Sequence, residues 1–291
     1  MQIAIHTGAH FTDEERLIKC LMRNAEVFSQ HGIAVPGPGR YRTLLKNTMS
    51  ALKDAPPAPD ARDVLLDAIL DDAQADRMIL SNTNLFGAPR AAIRRGMIYP
   101  TAGTRMANIC QLFPHDQVEM FIGIRNPASF LPELFKRSPR QTFDHFTDGV
   151  DPRDIFWSEL LLRIRSEAPN VSITVWCNED TPLIWGQLIR EIAGLDPVAN
   201  IIGSFDLLAE IMSDEGMKRF QDYLDTHDGI SEMQIRRIVA AFLDKFALED
   251  ELEEELDLPD WDEALVDELT DIYDEDVFTI QRIPGVTVIE P

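Results

Sequence analysis

Residues 2–20 read QIAIHTGAHFTDEERLIKC. Ile3-Ala4-Ile5 is a short apolar strand pattern, Thr7-Gly8-Ala9-His10 is a turn, and a helical pattern follows at once. A strand, a tight glycine turn and a helix start make an anion site, because free backbone N–H groups and the positive end of the helix dipole both face the turn. Such a site normally carries a lysine and small hydroxyl residues. Here Phe11 and Thr12 are followed by three acids, Asp13, Glu14 and Glu15. The scaffold suits a phosphate-binding loop and its side chains do not. The same residues also have a reading that needs no ligand. Thr12-x-x-Glu15 is a capping box, and acids at Asp13 and Glu14 in a first turn each stabilise a helix by about 0.3–1 kcal/mol. On that reading the helix supplies its own anions.

Outward from this stretch, strand-like and helix-like segments alternate. Leu17, Ile18, Cys20, Leu21, Ala25 and Phe28 recur at helical spacing and predict a helix over 13–31, stopped at His31-Gly32. Ile33-Ala34-Val35 reads as a short extended piece, and PGPG at 36–39 as a turn. Helices are predicted over 42–53 and 62–75, separated by the proline break APPAPDA at 55–61. Met78-Ile79-Leu80, QVEMFIGI at 117–124 and Val171–Cys177 read as strands, and 154–167 as an amphipathic helix. Trp185–Gly194 reads as a helix with a glycine cap. This alternation predicts an α/β fold with a mostly parallel sheet and helices on both faces over residues 1–200. Beyond residue 200 the strand signal vanishes until Val286–Ile289. Residues 201–291 therefore read as an acidic helical appendage whose final strand returns to the core.

The chain of 291 residues carries a net charge of −23. That charge argues against nucleic acid as a partner, which requires a cationic face, and against an anionic membrane surface. Cys20, Cys110 and Cys177 are far apart and have no metal-ligand spacing, which points to a reducing compartment and no bound metal. There is no signal-peptide pattern and no apolar run of the roughly 18 residues that span a bilayer. A cytoplasmic location is the expectation. No Ser-His-Asp order, zinc signature, dinucleotide fingerprint or EF-hand loop is present.

Ile5-His6-Thr7-Gly8-Ala9-His10-Phe11-Thr12 resembles the opening of bacterial sulfotransferase-like proteins, which often read I-H-x-G-A-x-K-T-G-T-T. Arg23-Asn24, His31-Gly32-Ile33 and Pro36-Gly37 continue the likeness. Phe121-Ile122-Gly123-Ile124-Arg125-Asn126-Pro127 is similar to that family's strand ending in Arg-Asp/Asn-Pro, which contributes to a 3′-phosphate site. Arg77–Ser81 with Asn84-Leu85-Phe86, Thr174–Asp180 with its following helix, and the tail from Tyr273 add softer matches. The resemblance implies a P-loop fold. For active relatives it implies transfer of a sulfuryl group from 3′-phosphoadenosine 5′-phosphosulfate, as co-substrate, to a hydroxyl or amine on a small molecule or carbohydrate. It implies donor contacts from the backbone around Gly8 and Ala9 and from Thr12 and Arg125.

The departures from that pattern bear on function. Phe11 stands where the family has its loop lysine, and Asp13, Glu14 and Glu15 stand where it has glycine and hydroxyl residues. Glu133 stands where a serine is common, with Ser129 nearer in sequence to Arg125. Three carboxylates at a helix start repel a polyanionic donor. Arg40, Arg42 and Lys46 on the next segment are candidates to reach back. His6 and His10 bracket the turn. His10, the more exposed by position, is the candidate general base, and His6, alternating with Ile3 and Ile5, reads first as a packed or hydrogen-bonded strand residue. Gly87–Arg95 is the densest basic patch, and Trp157, Trp176 and Trp185 read as core. In the acidic stretch 244–276, which holds the charge run EDELEEELD at 249–257, Leu248, Leu252, Leu256, Leu265, Leu269 and Ile272 recur at about helical spacing between acids; it reads as a solvated helix face, or as a dock for a basic protein partner. Two functions follow: a divergent sulfotransferase-like enzyme, or a non-catalytic descendant of the scaffold that serves as a binding or interaction module, a pseudoenzyme.

Overall fold

In the computed structural model residues 1–71, 73–227, 229–248, 258 and 261–291 are described. Strand β1 (Gln2–His6) lies in the middle of a six-stranded sheet with β2 (Ile33–Ala34), β3 (Arg77–Ser81), β6 (Gln117–Ile124), β7 (Ser172–Cys177) and β8 (Val286–Ile289). The order is β2-β3-β1-β6-β7-β8, and every pairing is parallel. The short strands β4 (Ile93–Arg94) and β5 (Met97–Ile98) form a separate antiparallel hairpin.

The period of β1 divides the core in two. Ile3 and Ile5 face one apolar cluster, and Ala4 faces the other. The first cluster is covered by α3 (Pro38–Ala51), α4 (Ala61–Leu70), α5 (Ala102–Leu112), α6 (Pro127–Lys136) and α8 (Trp157–Glu167). The second lies beneath α1 (Arg16–Arg23), α2 (Ala25–Ser29) and α9 (Thr181–Ala193). The α/β class, the parallel sheet and the helices on both faces are those the alternation predicts. Trp157, Trp176 and Trp185 are buried, and Gly194 closes α9 in the left-handed conformation that favours glycine.

Some boundaries differ for tertiary reasons. The helix expected over 13–31 is two helices with a break at Asn24. The Asn24 amide donates to the Cys20 and Ile202 carbonyls, and its oxygen accepts the Ile202 N–H. A single side chain thus ties the first helical layer to a loop far along the chain. The PGPG segment does not stay a turn: α3 starts at Pro38, where proline's fixed φ suits a first helical position.

Beyond residue 200 the described residues are helical up to β8. The helix α7 (Phe143–Thr147) precedes α8, and α10 (Asp206–Ile211), α11 (Asp214–Asp225), α12 (Glu232–Phe246) and α13 (Glu263–Ile280) follow α9. They divide between two cores. Leu208, Met212, Phe220 and Val239 gather α10–α12 into a small cluster. Trp261 and α13 join the large core against α6 and α8. The acidic run 249–257 lies outside the described residues.

Asp276 on α13 fixes this second attachment. Its buried carboxylate accepts the N–H groups of Trp157 and Ser158 at 2.7 and 3.1 Å, which satisfies the start of α8. Asp276→Ala leaves two buried donors unpaired. The expected loss is about 1–3 kcal/mol, read as a lower urea midpoint at unchanged slope.

Candidate functional site

β1 leads into α1 on one face of the sheet, and β6 leads into α6 on the other. The crevice between their carboxyl ends is therefore the topological switch point, where α/β sheets place ligands. The strand pairing continues past β1: Thr7 N–H donates to Phe121 O at 2.9 Å and Ala9 N–H to Gly123 O at 3.2 Å. Gly8 makes the turn at a φ of +59°, and a Cβ there would stand 2.9 Å from Thr83 Cγ2. Glycine is required at this position.

The loop that follows is strained. Phe11, Glu14 and Glu15 all have positive φ, at 61°, 45° and 65°. Left-handed non-glycine residues persist only where surrounding contacts over-determine them, and those contacts are visible. Arg125, 7% exposed at the end of β6, donates from Nη1 to Phe11 O and from Nε to Ser129 Oγ, both at 2.9 Å. Arg42 on α3 donates from Nε to Ser81 O at 3.0 Å and from Nη1 to the Glu15 carboxylate. Arg16 pairs with Glu14 and Glu210. Arg137 stands over the Phe11 ring, 5.1 Å from its centroid.

The capping box read from Thr12 and Glu15 is not formed. Thr12 Oγ1 donates to Ala9 O at 2.8 Å, Glu15 turns to Arg42, and the helix starts at Arg16. Of the three basic residues placed to reach back, Arg42 does so, whereas Arg40 pairs with Asp71. Asp13 is buried, and neither of its carboxylate oxygens has a hydrogen-bond partner.

His6 is fully buried at the end of β1. Its Nδ1 shares a 3.0 Å hydrogen bond with Ser81 Oγ, its ring stacks on Trp176, and its Nε2 has no partner. Burial holds the ring below the usual histidine pKa; the Asp13 charge opposes that shift and Arg42 adds to it.

His10 corrects the expectation of exposure, because it is buried. Its own N–H donates to the Tyr99 hydroxyl at 2.9 Å, and that oxygen lies 2.7 Å from its Nδ1. Tyr99 has one proton to give, so Nδ1 is the acceptor. The Nε2–H then points to Asn84 Oδ1 at 3.4 Å. Burial holds the ring below the usual histidine pKa, and hydrogen bonds to Asn84 and to the Gly87 backbone oppose that shift. The network assigns this tautomer.

The structure therefore brings Gly8, Ala9, Thr12, Arg125 and Ser129 around one loop, with His10 behind it against Tyr99. The partners Ser81, Tyr99 and Asn84 carried no signal of these roles in the sequence, being 74–89 residues from the histidines they contact. Arg90, Arg94 and Arg95 of the basic patch are exposed, Arg94 and Arg95 at the β4–β5 hairpin. Among the described residues no group of three His, Cys, Asp or Glu is placed to hold a metal ion, and no helix is long and apolar enough to cross a membrane.

No protein-family model matches this chain, and no curated protein matches it. Among solved structures, a sulfotransferase from Alicyclobacillus acidocaldarius is similar over 83% of this chain and 99% of its own length, at 10% identity and a TM-score of 0.36. So distant a likeness says nothing of donor, acceptor or activity.

The two buried histidines have a consequence in pH. Burial holds both below the ordinary histidine value of about 6.5, so the unfolded chain binds more protons as the pH falls through that value. Stability is full above about pH 6.5 and falls below it, by at most about 1.4 kcal/mol per pH unit for each histidine. Urea unfolding across this range should give that slope in the wild type and a shallower one in His6→Gln. An equal slope in the variant would remove His6 from the account.

Proposed function

We propose that this chain is a non-catalytic descendant of a sulfotransferase-like scaffold, a binding or interaction module whose anion loop is neutralised from within. The Arg42–Glu15 ion pair carries this reading. A nucleotide donor entering the loop has to take Arg42 from Glu15 and then lie beside Asp13, Glu14 and Glu15. Two like charges about 4 Å apart repel by about 4 kcal/mol at an effective dielectric of 20, more than one charge-assisted hydrogen bond returns. Arg16 is paired likewise, and Arg125 is turned onto the Phe11 carbonyl. The residues present do not fit 3′-phosphoadenosine 5′-phosphosulfate. Exposed acids on α13, Glu263, Asp267, Glu268, Asp271 and Glu275, suit a basic protein partner.

One observation favours the transferase reading: Arg125 and Ser129 lie together at the switch point, 2.9 Å apart. On that reading they hold the donor with the backbone of Gly8 and Ala9 and with Thr12, without a metal, and a small molecule or carbohydrate accepts the sulfuryl group. His10 is its weak member, since Tyr99 occupies the nitrogen that would take the acceptor's proton.

Titration with adenosine 3′,5′-bisphosphate separates the two. The wild type should show no heat and no shift in melting temperature at about 1 mM nucleotide, where a 1 μM site would add about 4 kcal/mol of stability. Micromolar binding that Arg125→Ala abolishes would overturn the proposal in favour of the transferase.

A further inference from the structure

The basic patch over Gly87–Arg95 takes no part in the loop at β1, and its charges are not used within the fold. The chain carries 50 acids, yet residues 77–115 and 134–143 hold none. The structure brings these two acid-free segments together. The 3₁₀ turn Pro89–Ala91 packs on α6, and β4 packs on α7. At the hairpin the Arg95 N–H donates to Asp148 Oδ2 at 2.7 Å, which fixes β4 against the end of α7. Phe143 and Phe146 of α7 pack in turn on Phe135, two residues before Arg137. Arg90, Arg94, Arg95, Arg137 and Arg140, all exposed, thereby gather around α7 and the end of α6.

Most arginines elsewhere are engaged, as Arg77 is by Glu119 and Arg153 by Glu268. Among the described residues, the side chains of Arg90, Arg94, Arg95 and Arg140 have no partner, and Arg137 has only the face of the Phe11 ring. Arg95 is also placed against the preference of its turn. Ile93 pairs with Ile98 and Arg94 with Met97, so Arg95-Gly96 is a two-residue hairpin loop. Both residues have positive φ, 51° and 70°. Such a loop favours Asn-Gly or Asp-Gly. A side chain with a strained φ, whose charge meets nothing in the fold, contributes little to folding. The hairpin instead holds a guanidinium out to solvent.

The sign of this face selects an anion, and its layout selects among anions. Cations on three separate elements answer a row of carboxylates along one extended chain better than they answer a single small anion. Beyond the patch the protein is acidic, and α13 with its exposed acids packs against α6. Charges more than about 8 Å away are largely screened at about 0.15 M salt, so a short acidic segment confined to the patch escapes that repulsion. A long nucleic acid or an anionic bilayer extends past the patch and meets the acids directly. We infer that the face formed by Arg90, Arg94, Arg95, Arg137 and Arg140 docks a short acidic segment of a partner protein. The inference gives the interaction module a partner, and it uses none of Gly8, Thr12, Arg42 or Arg125. The bisphosphate titration and the test below therefore fail separately.

The full chain is titrated with a fluorescein-labelled octaglutamate peptide. One peptide should bind per chain at about 50 mM salt, and affinity should fall at least about tenfold by about 200 mM. Arg94→Glu combined with Arg95→Glu should weaken binding at least about tenfold. Arg282, beyond α13, is exposed and also lacks a side-chain partner, and Arg282→Glu should change binding by less than about twofold. Arg95→Asn should weaken binding and raise the urea midpoint together, because asparagine suits the turn. An equal loss in Arg282→Glu, tighter binding of a DNA oligonucleotide or of phosphatidylserine vesicles than of the peptide, or displacement of the peptide by self-association of the chain would overturn the inference. Wild-type amide spectra decide the matter if the variants do not fold. The peptide should move the Arg94, Arg95 and Arg140 resonances and leave those of Leu208 and Val239 in place, and the reverse pattern would overturn the assignment.

Discussion

β1 is hydrogen-bonded along both edges and covered on both faces, so every charge at its carboxyl end has to be answered from within the chain. Neither solvent nor a neighbouring sheet edge is at hand for His6, Thr7, Ala9, His10 or Asp13, all of which are buried. Most of the answer comes from two strands and one helix, while the Asp13 carboxylate has no hydrogen-bond partner. β3 supplies Ser81 to His6, β6 supplies Arg125 to Phe11, and α3 supplies Arg42 to Ser81 and Glu15. A loop tied at so many points adopts the backbone its partners require, and three non-glycine residues with positive φ are the result. The strained residues sit between the hydrogen bonds made by Arg42 and Arg125 and beside the unpartnered Asp13 carboxylate.

The same constraint decides what the two histidines are. An imidazole acts as a base when one ring nitrogen is unprotonated and reachable. The Tyr99 hydroxyl receives the His10 N–H and points its own proton at the ring, which closes a short circuit of hydrogen bonds around one residue. His6 is held by Ser81 on one side and stacked on Trp176 on the other. Both rings are packed and hydrogen-bonded in the interior. Glu15, by contrast, lies where an anion belongs, against an arginine and at the foot of α1. On the proposed reading, the Glu15 carboxylate takes the place of a bound anion.

Much of this was legible from residues alone, and the division is physical. Period-2 apolar runs such as QVEMFIGI give their strand bounds directly, because burial on both faces leaves no room for polar residues. Gly194 announced the end of α9, because few other residues take its φ. The mismatch between scaffold and side chains at Phe11 and Asp13–Glu15 was legible too, as charge in the wrong place. What failed were readings that assumed local partners. Thr12 and Glu15 satisfy the capping-box pattern, but Arg42 is a stronger partner for Glu15 than a backbone N–H, and it arrives from another helix. His10 looks exposed as a turn residue, and Tyr99, 89 residues on, buries it. Asn24 looks helical until Ile202 is beside it. A window of a few residues holds propensity and period; it does not hold the partner that topology delivers.

The contrast between the two ends of the molecule then carries meaning. Around β1 the hydrogen bonds of Ser81, Arg42, Tyr99 and Arg125 tie one loop to the rest of the fold, while His6 Nε2, Arg42 Nη2 and both Asp13 oxygens have no partner. Around α10–α12 four buried apolar residues hold three helices, and the side chains beside them remain half in water. Close packing, not hydrogen bonding, limits the stability of that unit. The stability of that unit follows the apolar area its helices bury, at about 25 cal/mol per Å², whereas the loop after β1 is held by hydrogen bonds that reach it from distant parts of the chain.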